Sequence, residues 1–166
     1  IAAHVHGVLD TPLQMALSAA RGRRDPIMFI PSMHSDLFDD TVTDDLCQAV
    51  IAEGATVLWG DAEEGRYKTP DAVQIVANLC HLVNSRRPER GRVVVTLGRN
   101  RSRLDAVRWI TNTSTGRTGW AIAEHLYRMG HMVDVVSGET TSKSSFTLPS
   151  VIIADDPDDM LIELMN

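Results

Sequence analysis

The run Val93-Val94-Val95, followed downstream by Leu104-Asp105-Ala106-Val107-Arg108-Trp109-Ile110-Thr111-Asn112-Thr113-Ser114-Thr115-Gly116-Arg117-Thr118-Gly119, decides the fold. A short apolar strand leads through a small-polar, glycine-bearing turn into a helix. The first N–H groups of a helix lack intrahelical acceptors, and the helix dipole favours negative charge there, so such a turn is a ready anion site. The spacing places a phosphate-bearing ligand near Ser114, Thr115, Gly116 and Gly119. A plainer reading stands beside it, in which Gly116 and Gly119 only let helix and strand pack closely. Asp105, Arg108 and Asn112 precede the turn at intervals of three and four residues, in a polar linker too long for a simple strand–helix connection.

Outward from this turn, strand and helix patterns alternate. Upstream, Thr11-Pro12 reads as an N-cap followed by proline at the first helical position. Leu13, Ala16, Leu17 and Ala20 then form one face, and Gly22 is expected to stop the helix. Residues 27–30 form an apolar strand between Pro26 and Pro31. Thr41 is expected to cap a second helix, with Val42, Leu46, Ala49 and Val50 inward and Gly54 ending it, before a strand over residues 55–59. Thr69-Pro70 repeats the cap-plus-proline start, with Val73, Val76, Ala77, Cys80 and Val83 as the inner face. Residues 86–91 are polar and contain Pro88, and read as a linker between a unit over 1–85 and a unit over 92–166.

In the second unit, residues 92–97 are a strand. Gly119, Ile122, Ala123 and Leu126 line a helix ending at Gly130, and residues 132–136 are a strand. Thr140 to Ser145 reads as a flexible polar loop, residues 151–154 as a strand, and Pro157 starts a last helix with Met160, Leu161 and Leu164 inward. Continuous apolar strands alternating with amphipathic helices imply an α/β fold of Rossmann-like type, with mostly parallel sheets flanked by helices. Ligands in such sheets bind outside the carboxyl ends of the strands, where the Pro31–His34 and Gly98–Gly119 loops fall.

The 166 residues are 43% hydrophobic and 23% charged, as expected for one or two small globular domains. A net charge of −6 and a pI near 5.4 argue against a dedicated nucleic-acid binder. Cys47 and Cys80, the two cysteines, sit in apolar helical patterns and read as buried thiols in a reducing, cytoplasmic setting. No apolar run approaches the roughly 20 residues of a membrane span. The chain opens on Ile1 without a methionine, which suggests a fragment or a processed chain.

The segment Asp105-x-Val107-Arg108-x-Ile110-x-Asn112-x-Ser114-Thr115-Gly116-x-x-Gly119 resembles the nucleotide-binding entry of phosphopantothenate–cysteine ligases, whose pattern is close to D-x-V-R-x-I-x-N-x-S-S-G-x-x-G. Thr115 for the second serine keeps a hydroxyl. The upstream half resembles the flavoprotein decarboxylase often fused before that ligase. Ala2-Ala3-His4 stands for a P-A-T-A-N-like segment, Pro31-Ser32-Met33-His34 for P-x-M-N, and Gly65-Arg66-Tyr67-Lys68-Thr69-Pro70 for a G-x-G-R-M-x-x-P-like loop. Together the two resemblances cover nearly the whole chain, in family order.

The resemblance implies two incomplete units: a flavoprotein unit lacking its N-terminal part and a ligase-like unit lacking its C-terminal part. It implies FMN for the first, CTP or ATP with Mg²⁺ for the second, a small-molecule substrate, and a homo-oligomer from dimer to dodecamer. The implied reactions are CTP-dependent ligation of 4′-phosphopantothenate to cysteine and FMN-dependent decarboxylation of the product. The alternatives are a divergent flavoprotein acting on another substrate, or a non-catalytic assembly or regulatory paralogue.

Carried over residue by residue, Gly98, Asp105, Ser114, Thr115, Gly116, Arg117 and Gly119 are implied to bind nucleotide. Asn112 would serve the acyl-intermediate step, and Arg108 would lie near the substrate carboxylate or phosphate, where a planar fork suits bidentate binding. His4, Pro31, Ser32, Met33 and His34 are implied to face flavin or substrate. His4 and His34 stand where the decarboxylases have asparagines. They could bind a carboxylate, join His6 and Asp36 around a divalent metal, or be hydrogen-bonded loop histidines. Gly98-Arg99-Asn100-Arg101-Ser102 departs from the ligase G-G-T-x-E by losing a glycine, the threonine and the acid.

Overall fold

The computed structural model describes residues 1–165 and forms two compact units, Ile1–Ile75 and Val76 onwards. In the first, α1 (Ala2–Val5) and α2 (Pro12–Arg23) precede β1 (Met28–Phe29), β2 (Met33–His34) and α3 (Ser35–Phe38). Next come α4 (Thr41–Ala52), β3 (Thr56–Val57), β4 (Ala62–Glu63) and β5 (Arg66–Tyr67). β1 and β3 pair in parallel, while β2, β5 and β4 make a small antiparallel sheet with β5 central. Phe38 stacks on Tyr67 with ring centres 3.8 Å apart, and Trp59 meets both edge-on. The unit buries little: His4, Cys47 and Val50 are its fully buried residues among those described.

α5 (Ala72–Asn84) starts in the first unit and runs into the second. There follow β6 (Arg92–Leu97), β7 (Arg101–Arg103), β8 (Trp109–Thr111), α6 (Arg117–Arg128), β9 (Met132–Ser137), β10 (Val151–Ile153) and α7 (Pro157–Met165). β10, β9 and β6 form a parallel sheet in that order. On one face Trp120, Ala123 and Tyr127 of α6 pack against Val95, Leu97, Val133 and Val135, with Ala77, Phe146 and Leu148 completing the cluster. On the other, Met160 of α7 packs on Val136 and Ala154. This is the expected α/β arrangement of parallel strands flanked by helices.

Several local expectations are corrected. α2 runs through Gly22 to Arg23 and ends on Arg24 in the left-handed region (φ 61°). α4 is capped by Asp40, whose carboxylate accepts the Val42 N–H at 3.0 Å, and not by Thr41. α5 begins at Ala72, with the Asp71 carboxylate accepting the Gln74 N–H at 2.8 Å, so Thr69-Pro70 is not its start. In both, an aspartate takes the position just before the helix: Asp40 precedes Thr41, which becomes the first helical residue, and Asp71 follows Thr69 by two. The inner faces are narrower than expected: Leu13, Ala16, Val42, Val73, Val76, Val83, Ile122, Leu161 and Leu164 are exposed, and Cys80 is only half-buried. The linker expected between strand and turn holds the antiparallel hairpin β7–β8. Residues 140–145 are pinned: the Ser142 N–H donates to the Thr115 carbonyl at 3.1 Å, and Trp120 Nε1 donates to the Ser142 carbonyl at 3.1 Å. Among the described residues no helix is long and apolar enough to cross a membrane.

Candidate functional site

β6 ends at Leu97 and α6 begins at Arg117, so the sheet's carboxyl edge and the helix N-terminus meet. Between them lies a cavity of about 250 Å³ lined by Thr96, Leu97, Gly98, Ser114, Thr115, Gly116, Arg117, Thr118 and Gly119. Glycines create it. A Cβ on Gly119 would stand 2.2 Å from Leu97 Cβ, so only glycine lets helix and strand approach this closely. Gly116 caps the helix at φ +79°, and a Cβ there would stand 2.5 Å from Thr140 Cγ2. The close-packing reading and the phosphate reading are therefore compatible, because the packing forms the cradle.

The turn is ordered by its own side chains. Asn112 Oδ1 accepts the Ser114 N–H at 3.0 Å, Ser114 Oγ accepts the Gly116 N–H at 3.4 Å, and Thr115 Oγ1 accepts the Arg117 N–H at 3.4 Å. Helix geometry leaves the N–H groups of Thr118 and Gly119, in the first turn, without intrahelical acceptors. With the positive end of the helix dipole at this wall and Arg117 among its lining residues, the cavity can accept an anion.

The cavity thus gathers Gly98, Ser114, Thr115, Gly116, Arg117 and Gly119, but its lining does not include Asp105, Arg108 or Asn112. Asp105 and Arg108 close on each other at the hairpin turn: Asp105 Oδ1 accepts the N–H groups of Val107 (2.9 Å) and Arg108 (2.8 Å), and Oδ2 pairs with the guanidinium at 2.5 Å. The Val107 and Arg108 N–H groups, then the guanidinium, hold the Asp105 carboxyl below the usual range. Thr96 and Leu97 of the wall, and Thr140 against Gly116, were not marked by sequence reading. A strand leading into a glycine turn signals the first two, whereas Thr140 arrives from a distant loop.

The first unit has its own cavity, about 420 Å³, lined by Ile1, Ala2, Phe29, Ile30, Pro31, Ser32, Met33, Thr43, Leu46 and Cys47. It takes in Pro31, Ser32 and Met33 but neither histidine. His4 is buried, with Nε2 3.5 Å from Glu53, which Arg21 also engages at 3.2 Å, and its ring lies against Phe29. His34 is exposed, 3.5 Å from Asp36. Among the described residues no group of three His, Cys, Asp or Glu side chains could hold a metal, so His4, His6, His34 and Asp36 do not assemble one. Burial, then the nearby Asp44, push the Cys47 thiol up.

The lining suits the flat, apolar ring of a flavin, with the Ser32 and Thr43 hydroxyls as polar contacts. It has no cation for the phosphate of FMN. The second cavity suits phosphates, and its lining holds hydroxyls but no carboxylate, so a magnesium ion would come with the nucleotide.

Comparison with known proteins matches the two halves of the chain to two different family models. The Flavoprotein family model matches residues 1–84, half of the chain, and the model of the DNA/pantothenate metabolism flavoprotein C-terminal domain matches residues 89–165. The coenzyme A biosynthesis bifunctional protein CoaBC of Thermococcus kodakarensis is 30% identical over 138 residues, covering 83% of this chain and 34% of that protein. Its namesake in Mycobacterium tuberculosis is 32% identical over 129 residues, 70% of this chain and 31% of that protein. A solved DNA/pantothenate metabolism flavoprotein from Streptococcus pneumoniae is 32% identical over 46% of this chain and 35% of its own, with a TM-score of 0.42. The chain spans about a third of the length of the curated relatives it matches. It belongs to the flavoprotein family, its second half to the DNA/pantothenate metabolism flavoprotein C-terminal domain family.

Proposed function

We propose that the chain is part of a coenzyme A-biosynthesis flavoprotein whose second unit binds the triphosphate of CTP, or of ATP, as its magnesium complex. The observation that carries the reading is the glycine-framed cavity at the start of α6, with Arg117 in its wall. The relatives named for coenzyme A biosynthesis support the substrate class. A carboxylate is a poor acyl donor because its oxygen leaves badly. Attack of the 4′-phosphopantothenate carboxylate on the α-phosphorus would expel pyrophosphate and leave an acyl nucleotide; the cysteine amine would then attack its acyl carbon, forming the amide and releasing the nucleoside monophosphate and a proton.

In this chain the Thr118 and Gly119 N–H groups and Arg117 would hold the phosphates and offset charge as pyrophosphate forms. Asn112, whose Oδ1 is committed to the Ser114 N–H, keeps its amide NH₂ for an acyl oxygen. Arg108 would have to exchange Asp105 for a substrate carboxylate or phosphate. Titration calorimetry of the purified chain with MgCTP and MgATP tests the reading. Saturable one-to-one binding lost in Gly116→Val is expected, and no binding of either nucleotide at millimolar concentration overturns it.

In the first unit the apolar cavity would take the isoalloxazine ring of FMN, which supplies a two-electron acceptor when bound. Pro31, Ser32 and Met33 would form its wall. Because His4 is turned inward onto Glu53 and His34 faces solvent, we favour for this unit a substrate other than that of the decarboxylases. Visible flavin absorbance of the purified protein, with no turnover of phosphopantothenoylcysteine, is the expected result. We further propose a homo-oligomer, supported by the exposed Leu13 and Met15 on α2, with light scattering as its test.

A further inference from the structure

Where β6 and β9 end, their chains cross at two glycines. A Cβ on Gly98 (φ +89°) would stand 2.8 Å from the Gly138 carbonyl oxygen, and one on Gly138 would stand 2.2 Å from that of Arg99. Just beyond, Arg99 and Glu139 form an antiparallel bridge. The Arg99 N–H donates to the Glu139 carbonyl at 2.9 Å, and the Glu139 N–H donates to the Arg99 carbonyl at 3.1 Å. Their side chains make an ion pair through one terminal guanidinium nitrogen. Arg99 directly follows Gly98, the last residue of that strand end in the cavity lining, and itself stands just outside the lining. Its Nε is buried and has no acceptor. Glu139 is the more exposed partner.

We propose that Arg99 is a further phosphate-binding residue of this cavity, held by Glu139 until a polyphosphate anion displaces that carboxylate. The inference rests on the nucleotide reading above. A guanidinium presents Nε and a terminal nitrogen side by side, a fork that matches two phosphate oxygens. In the free protein one prong is on Glu139 and the other is unpaired. A phosphate engaging both would satisfy the orphaned Nε–H, while the released carboxylate is already half in water. The guanidinium exchanges one anionic partner for another and the released Glu139 carboxylate is left to water, so the step does not incur the penalty of stranding a buried charge.

The two partners therefore act in opposite directions on anion binding, which a purely structural clamp would not produce. Calorimetry of the whole chain with magnesium pyrophosphate reads this. Arg99→Gln is expected to weaken binding about tenfold, the worth of one charge-assisted contact. Glu139→Gln is expected to tighten it about threefold or more. In the Arg99→Gln background Glu139→Gln is expected to have no effect, because its influence runs through the freed guanidinium. Arg99→Lys, which keeps charge but loses the fork, gives an intermediate loss and serves if the glutamine variant does not melt cooperatively. Both single variants weakening binding, or the Glu139 effect surviving without Arg99, overturns the proposal while leaving the nucleotide reading intact. Failure of the unaltered chain to bind pyrophosphate, MgCTP or MgATP overturns both.

Discussion

Gly116 and Gly119 lie three residues apart, yet they are constrained differently. At Gly119 the obstacle is Leu97 Cβ, which is fixed to the backbone at the end of β6 and cannot swing away. Gly119→Ala should cost about 1–3 kcal/mol of overpacking, reduced by about 1 kcal/mol of helix propensity, and chemical denaturation checks the net loss. At Gly116 the left-handed backbone adds about 1–2 kcal/mol of its own for any residue with a Cβ. Glu124 supplies a pH-dependent residue. Its carboxylate accepts from the Ser144 hydroxyl at 3.0 Å, the Ser145 N–H at 2.6 Å and the Ser145 hydroxyl at 2.7 Å. Burial raises its pKa, but the Ser145 and Ser144 bonds and the charge of Arg128 outweigh that and leave it below the ordinary value. A depressed carboxylate stabilises the fold above its unfolded pKa, and that stability is lost as pH falls through the folded value. Glu124→Gln should therefore melt lower than the parent at neutral pH, by about 1.5 kcal/mol, and the gap should close in acid.

At the scale of elements, the β7–β8 hairpin is an exposed, ordered piece of the second unit. All six of its strand residues are exposed, and Arg101 and Arg103 lie over the Trp109 ring at 5.4 and 5.9 Å. Three-residue strands held by a few ladder bonds open readily, so limited trypsin digestion should cut first after Arg101, Arg103 or Arg108, as mass spectrometry of the first fragments would show. This hairpin also marks where sequence reading ran short. β6, α6, β9, β10 and α7 were legible because continuous apolar runs and 3.6-residue periodicity report burial directly. Arg101-Ser102-Arg103 reports nothing, since neither of its faces is buried. Trp109-Ile110-Thr111, aromatic and β-branched, was the available strand signal. The cavity walls from Ser114 to Gly119 were legible for the reason the fold was: they sit between a strand and a helix. Whether Arg108 and Asn112 line that cavity depends on the path of the hairpin, which local pattern does not encode. Thr11, Thr41 and Thr69 look alike in sequence, but only Thr11 stands immediately before its helix; at α4 and α5 that place is taken by Asp40 and Asp71.

At the scale of the molecule, sequence composition suggests a boundary in the polar stretch after residue 85, whereas packing assigns the second part of α5 to the second unit. Ala77 is fully buried in the cluster with Leu97, Trp120 and Tyr127. The Tyr127 hydroxyl donates to Asn78 Oδ1 at 2.9 Å, and the His81 ring stacks on Tyr127 at 4.2 Å with Nδ1 2.9 Å from the Tyr127 carbonyl. Asn84 Nδ2 donates to the Arg128 carbonyl at 2.7 Å, capping the last turn of α6. Gly130, at φ +92°, is closed over by the same helix end, since a Cβ there would stand 2.4 Å from the Asn84 carbonyl carbon. A fragment starting at Gly91 would expose Tyr127 and leave the Arg128 carbonyl without its amide donor. A fragment starting at Ala72 keeps all of these contacts. Burial of one small and one aromatic side chain, with two or three hydrogen bonds, amounts to about 3–5 kcal/mol, a large fraction of the stability of a domain this size. The longer fragment should therefore unfold in one cooperative transition and the shorter one should melt much lower or without a transition, as circular dichroism would show. Equal melting of the two would mean that α5 is a connector, and that the boundary belongs where the composition changes.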